Sequence, residues 1–434
     1  MKKPQVLFVI SVFTSFLFVL RSADTFGHSK ASIQIREQEV IYNSGPVIYA
    51  EALEGGRWVG RSWKALGERE LPVSSWSDEA FKIMLKVTPS PSNEPGLLLA
   101  TDWTWVSVTE SLSKRNPDTI HAVVELSHSN PPLSLKIHTL LDGTPVLTRW
   151  LEIKNLSTKA AALTNVSPWS GRLWSVGAPI QLGHSLRSEV PWEGWFGWKE
   201  LRAGANLFRN DTDRLWDDPY FLLQNNSKGE YFFGQLAWAS NYQMEFRQDE
   251  GLTFSIGPVA RQNLRVIAPG ETITAPAVHL GYIRGDFDAA VQAMHEHLRR
   301  TILPTREPPL AYRSQYLFPE DQRWSVLHGD DYNVTNLKKC VEVAASAGID
   351  VFILDGPTWI SAYGNWLAPK PKWFPEGLKP LVDYVHQKGM LFGAYFETEE
   401  AVTETPVLSG MAGHWPGCGK KARCTRNTPN GSTI

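Results

Sequence analysis

Cysteine is nearly absent: the 434-residue chain has three, Cys340, Cys418 and Cys424. None sits in a Cys-x-x-Cys or Cys/His pattern with metal-ligand spacing, so no metal site is expected, and no cofactor. Cys418 and Cys424 are spaced to pair in an oxidising compartment, whereas Cys340 falls in a helical pattern as a small buried hydrophobe. An excess of one charge is missing too. With 43 basic and 45 acidic residues the net charge is -2, and no basic block or acidic tail stands out. This removes the electrostatic footprint of a nucleic-acid or anionic-membrane partner. The apolar run Val6–Leu20 is too short for a comfortable membrane span. Internal repeats and low-complexity segments are also lacking.

What is present begins with tryptophan: 18 copies in a chain of ordinary globular composition, 42% hydrophobic and 20% charged. Such a count fits either a large aromatic-rich β core or sugar binding, where an indole face stacks on the C–H face of a pyranose. Lys2 and Lys3, the apolar run and a small-residue stretch follow the order of a signal peptide. Ser29 and Ala31 offer a small-x-small cleavage site, better than Ala23 with Arg21 two residues before it. Residues 1–31 are therefore expected to be removed, leaving a secreted or periplasmic protein with no membrane association; an uncleaved anchor is the alternative.

Residues 32–285 carry strand grammar. Ile120, Ala122, Val124 and Leu126 alternate with mostly polar neighbours, as do Leu133, Leu135 and Ile137. Frequent turn signals, among them Asn130-Pro131-Pro132, Asp142-Gly143 and Pro269-Gly270, predict a large antiparallel sandwich. Residues 286–309 read as a connecting helix and Pro-rich linker. Asp286 caps a helix whose apolar stripe is Phe287, Val291, Met294, Leu298 and Ile302, with His295 and His297 as surface residues. From residue 310 to 434 the order becomes strand–helix–strand. Ala311–Phe318, Val351–Leu354 and Met390–Phe396 are the strands; Asn336–Ala347 and Gly377–Lys388 are the helices. The run Val351–Leu354 predicts a parallel strand buried on both faces. Acidic Asp355 and Glu397 end the last two strands, as at the site face of a (β/α)8 barrel; a doubly wound sheet remains open on spacing alone.

Val351-Phe352-Ile353-Leu354-Asp355 with Gly364-Asn365-Trp366, then Phe374-Pro375-Glu376-Gly377-Leu378-Lys379-Pro380-Leu381, resembles the second strand and helix of the family 36 glycoside hydrolase barrel. Gly389-Met390-Leu391-Phe392-Gly393-Ala394-Tyr395-Phe396-Glu397 resembles its third strand. Asp142-Gly143-Thr144-Pro145-Val146-Leu147-Thr148-Arg149-Trp150, with Glu152 and Asn155, is similar to that family's N-terminal β-supersandwich, and Trp216-Asp217-Asp218-Pro219-Tyr220 also has a counterpart there. The fold class implied is an N-terminal antiparallel β-supersandwich followed by the first part of a (β/α)8 TIM barrel, of about three strands.

The resemblance implies a retaining hydrolase of the α-galactosidase (melibiase) type, whose partner is an oligosaccharide or other α-galactoside. Such chemistry uses two carboxyl groups, which the family places at the fourth and near the sixth strand. No catalytic residue is therefore expected within 1–434, and the chain alone is expected to be inactive. A non-catalytic carbohydrate-binding protein and a transglycosylase are the competing readings. The implied substrate-binding residues are Asp355, Trp359, Trp366, Tyr395 and Glu397. The family's second aspartate after the second strand is replaced by Gly356, its third-strand tryptophan by Tyr395, and its Glu-Pro-Glu by Glu397-Thr398-Glu399. These departures put galactose specificity in doubt. Trp192, Trp195 and Trp198 form a local cluster read as core or interface packing, with substrate contact the alternative, and Asp217 and Asp218 are read the same way.

Overall fold

The computed structural model describes residues 31–396, apart from 66–77, 87–88, 90–95, 114–115, 117, 176–178, 187–194, 211–217, 239, 261–262, 304–310, 315–326, 328, 355–358 and 362–364. The expected leader, Trp192, Asp217, Glu399, Cys418 and Cys424 thus lie outside the described residues. The chain divides into two compact units between Leu303 and Pro304.

The first unit is antiparallel β. Its largest sheet has ten strands, in the order Trp195–Glu200, Ile180–Leu186, Tyr220–Asn225, Glu230–Leu236, Val278–Arg284, Val146–Asn155, Pro132–Leu141, Ile120–Ser129 and Trp103–Leu112, with Thr272–Thr274 added beside Val146–Asn155. Three four-stranded sheets accompany it, one of them the meander from Ser32 to Ala65. Alternation decides which face is buried. Ala122, Val124 and Leu126 are fully buried, and so are Leu133, Leu135 and Ile137 on the neighbouring strand. Two turns meet tightly at one edge. Gly45 has φ +56, and a Cβ there would stand 2.5 Å from the Gly143 carbonyl oxygen, so no larger residue fits.

An ion pair sits inside this sandwich. Arg149 donates to both oxygens of Glu51, at 2.8 and 2.6 Å, and each side chain is 0% exposed. Tyr42 and Tyr49 hydroxyls donate to the same carboxylate at 2.7 and 3.1 Å. The guanidinium also reaches Thr139 and lies 4.4 Å from the Trp169 ring. Burial opposes the arginine's charge, but Glu51 and the two tyrosine oxygens hold it above the usual range. Burial and the same carboxylate push both tyrosines up. The cluster joins strands of three sheets, at Glu51, Arg149 and Trp169.

The helix α1 (Phe287–Thr301) belongs to this unit and is no free connector. Asp286 caps it, accepting from Ala289 N at 2.8 Å. Its buried face is Ala290, Ala293 and His297, so the expected apolar stripe and the expected surface His297 are both corrected. Small alanines let the helix approach the sheet, and His297, 1% exposed, is accepted there because it is hydrogen-bonded. Its Nδ1 donates to Asp142 at 2.9 Å, while Nε2 lies 2.8 Å from His279 Nδ1 and 3.2 Å from the Thr148 hydroxyl. Burial raises the Asp142 pKa, but hydrogen bonds from His297 and Thr144 outweigh it and hold the carboxyl below its ordinary value. Burial, aided by His297, pushes His279 down to about 3.

In the second unit Ala311–Ser314, Val351–Leu354 and Leu391–Ala394 form a parallel three-stranded sheet in that order. The helices α2 (Val334–Ser346) and α3 (Lys379–Gln387) follow the first two strands, in βαβ order. Asn333 caps α2 by accepting from Asn336 N at 3.1 Å. Cys340 is half-buried in α2 with a free thiol, which burial shifts upward. Within Val351–Leu354 only Phe352 and Leu354 are fully buried, the alternate pair being half-buried, so burial on both faces is corrected to burial on one. No helix among the described residues is long and apolar enough to cross a membrane.

Two predictions arise from these clusters. Arg149→Met leaves Glu51 buried without its cation and lowers stability by about 3–5 kcal/mol in urea unfolding. Pairing it with Glu51→Leu restores part of that loss, as a double-mutant cycle measures. The second concerns pH. The folded pKa of His279 lies below its ordinary 6.5, so its contribution is present above pH 6.5 and lost as pH falls toward 3. The depressed Asp142 pKa adds a further loss below its ordinary 3.8. The urea midpoint therefore drops between pH 7 and pH 4, and His279→Gln flattens that drop.

Candidate functional site

The candidate site lies at the C-terminal ends of the second and third parallel strands, where α/β sheets place their sites. Register pairs Leu354 with Ala394, and Tyr395 N continues the ladder by donating to Leu354 O at 2.8 Å. This pins Tyr395, half-buried, at the rim. A short antiparallel excursion follows the second strand. Ile360 bridges Pro369, Lys370 N donates to Trp359 O at 2.9 Å, and Ser361 N donates to Ala368 O at 2.9 Å. Asn365 closes the turn by accepting from Ala368 N, which puts Trp366 at its tip.

Three rings meet there. Trp366 lies 5.2 Å from Phe396 and 6.1 Å from Trp359, and Trp359 meets Phe396 edge-on at 5.9 Å. Their exposures separate their roles. Trp359 is 1% exposed and packs in the unit's core; its indole N–H is buried with no hydrogen-bond partner among the described residues. Trp366 is half-buried and Phe396 is 54% exposed, so these two present ring surface to the solvent. Below them, Tyr332 packs edge-on against Trp373 at 5.3 Å, and Lys370 Nζ stands 4.4 Å over the Trp373 ring. Gly377, at φ +71, ends the following turn by donating to Phe374 O.

Among the five sequence-predicted residues, the structure brings Trp359, Trp366 and Tyr395 to one end of the sheet. Asp355 and Glu397 lie outside the described residues. Phe396 was missed; its place directly after Tyr395 at a strand end was the available signal. The described residues hold no group of three or more His, Cys, Asp or Glu side chains able to bind a metal. The arrangement is an aromatic rim flanking the strand ends, suited to binding a ring-shaped apolar face. Trp198, read as packing with substrate contact as the alternative, packs against Phe196 and Phe287 while 41% exposed on the terminal strand of the large sheet.

A family model described as melibiase matches residues 272–415, which takes in the last sandwich strands, α1 and the parallel sheet with its rim. Over that span the chain is similar to the melibiase family. Its relatives include the α-galactosidase Mel36A of Lactobacillus acidophilus, 27% identical over 283 residues, covering 61% of this chain and 36% of that protein. The α-galactosidase 1 of Pediococcus pentosaceus is likewise 27% identical, over 60% of this chain and 36% of its own length. The chain thus spans about a third of the curated relatives it matches. Among solved structures, the family 36 α-galactosidase AgaB of Geobacillus stearothermophilus superposes with TM-score 0.70 at 15% identity, over 90% of this chain and 60% of that one. An AgaA variant from the same organism, solved with raffinose, gives 0.69 at 15% identity, over 89% of this chain and 60% of that one. The fold is therefore the one these structures share, a β-supersandwich followed by the first part of a barrel.

Burial separates the roles of the two tryptophans in the folded rim. Trp359→Ala is expected to lower stability by about 3–5 kcal/mol in chemical unfolding, the range for a buried aromatic. Trp366→Ala removes a half-buried ring and lowers it by less than half as much.

Proposed function

We propose that the rim at the ends of the second and third parallel strands recognises the terminal sugar of an α-galactoside or related α-glycoside, within a retaining α-galactosidase-type hydrolase. The observation that carries this is the coincidence of the family-model match with an aromatic rim at the site face of a parallel sheet. In this reading Trp366 offers its ring to the apolar C–H face of the sugar, with Tyr395 beside it. Asp355, one residue beyond the second strand, accepts hydrogen bonds from sugar hydroxyls; a carboxylate makes these charge-assisted and short. Glu397 supplies a second acceptor one residue after Phe396. Trp359 supports the rim from within the core.

Retaining hydrolysis needs two carboxyl groups about 5–5.5 Å apart, one as nucleophile and one as acid/base. The family resemblance puts these on the fourth and near the sixth barrel strands. We therefore assign the residues of this chain to substrate recognition alone. The order of positive end, apolar segment and small residues at the N-terminus supports action outside the cytoplasm, secreted or periplasmic.

Raffinose titrated calorimetrically into the 434-residue chain tests the reading. The expected outcome is saturable binding, weakened about tenfold or more by Asp355→Asn, as for a lost hydrogen bond to a charged group. Trp366→Ala weakens it similarly. Binding indifferent to both substitutions would contradict the assignment, and turnover of an aryl α-galactoside by the chain would contradict the division of labour.

A further inference from the structure

The outer face of the ten-stranded sheet carries a second aromatic site, distant in sequence from the rim. It lies between α1 and the strands Trp195–Glu200, Tyr220–Asn225 and Glu230–Leu236, around a cavity of about 300 Å³. The helix turns Ala290, Ala293 and His297 onto the sheet, so Phe287, Val291 and Met294, at i, i+4 and i+7, are left to face this space. Phe196 and Tyr220 stand parallel across from them, 7° apart in plane with centroids at 6.3 Å. Phe287 closes against Phe196 and Trp198 at 5.8 Å each.

The sheet is cut to fit these rings. Gly183 lies under them, and a Cβ there would stand 2.3 Å from Phe196 Cζ and 2.9 Å from Trp198 Cζ3. Three large rings are thereby held on an outer face while 37% (Phe196), 41% (Trp198) and 43% (Phe287) exposed. Folding the sandwich does not require this, because its own core is complete on the other side of the sheet. Polar groups stand among the rings: Gln235 and His295 line the cavity.

We propose that this cleft is a second carbohydrate subsite, taking one pyranose ring of an oligosaccharide. Its volume is at the small end of ligand pockets, about 300 Å³ upward, which suits one ring rather than a peptide helix. A pyranose has the matching mixture: C–H faces for Phe196 and Tyr220, and hydroxyls for the donor and acceptor atoms of Gln235 and the imidazole of His295. A protein partner favours a broad patch, whereas this is a narrow cleft. The proposal rests on the carbohydrate reading given above and adds a site that reading does not use.

Calorimetric titration of the 434-residue chain with raffinose, with sedimentation alongside, tests it. Two classes of site are expected. Trp198→Ala, at an exposed position, removes the ring that Phe196 and Phe287 pack against and so weakens one of them about tenfold. Gly183→Ala, which displaces the rings without removing any, weakens the same class, and Asp355→Asn leaves it intact. Circular dichroism of each variant confirms the fold. One class of site insensitive to Trp198→Ala overturns the cleft while leaving the rim; one class sensitive to Trp198→Ala alone supports the cleft and removes the rim. Absence of binding, or a Trp198→Ala effect confined to self-association, overturns the proposal.

Discussion

The sandwich depends on burying one charged pair without leaving any of its atoms unpaired. Glu51 accepts four hydrogen bonds, from Tyr42, Tyr49 and twice from Arg149, and every partner comes from within the core. A buried pair is a poor source of net stability compared with apolar packing, since desolvating two charges offsets most of their attraction. Its effect here is on geometry. The bidentate fork fixes the meander from Ser32 to Ala65 against the central strand Val146–Asn155, and Trp169 over the guanidinium ties in a third sheet. A slip of one residue in either strand would turn one charge outward and leave the other alone in the core. The pair therefore selects one register.

That register sets what the outer face can hold. On the Arg149 strand the core-facing positions are Leu147, Arg149, Leu151 and Ile153, so Thr148 and Trp150 point the other way. Thr148 meets His279 and His297 there, and Asp142 at the preceding turn anchors the same histidine. The helix α1 is thus locked by polar contacts in place of a large apolar face, and its larger apolar side chains remain for the cleft. One buried network fixes sheet register; the next fixes a helix; together they leave aromatic surface on the outside of a sandwich whose core is already filled.

Legibility in the sequence followed the type of signal. Period-two alternation located Ile120–Ser129 and Pro132–Leu141, because one face of each is mainly apolar. Val351–Leu354 was readable from its run of four apolar residues and the turn signals beside it. The burial of His297 was not readable, since a histidine on a helix looks the same facing water or facing Asp142 until the sheet is assembled. The stripe Phe287, Val291, Met294 misled for a related reason: apolar spacing marks a face that avoids water, and the face packed closest to the sheet uses alanine. Trp198 packs without being buried because its strand ends the sheet, leaving its outer side uncovered. Within the rim, Trp359 and Trp366 are equal in sequence, and only the turn through Asn365 puts one in the core and the other at the tip.

In the proposed function, the strand ends of the parallel sheet form a sugar-recognising rim. A crystal structure of this chain grown with raffinose tests that most directly. The expected result is a sugar ring against Trp366, with its hydroxyls within hydrogen-bond distance of Asp355. A well-ordered structure whose rim stays empty at saturating raffinose would contradict it.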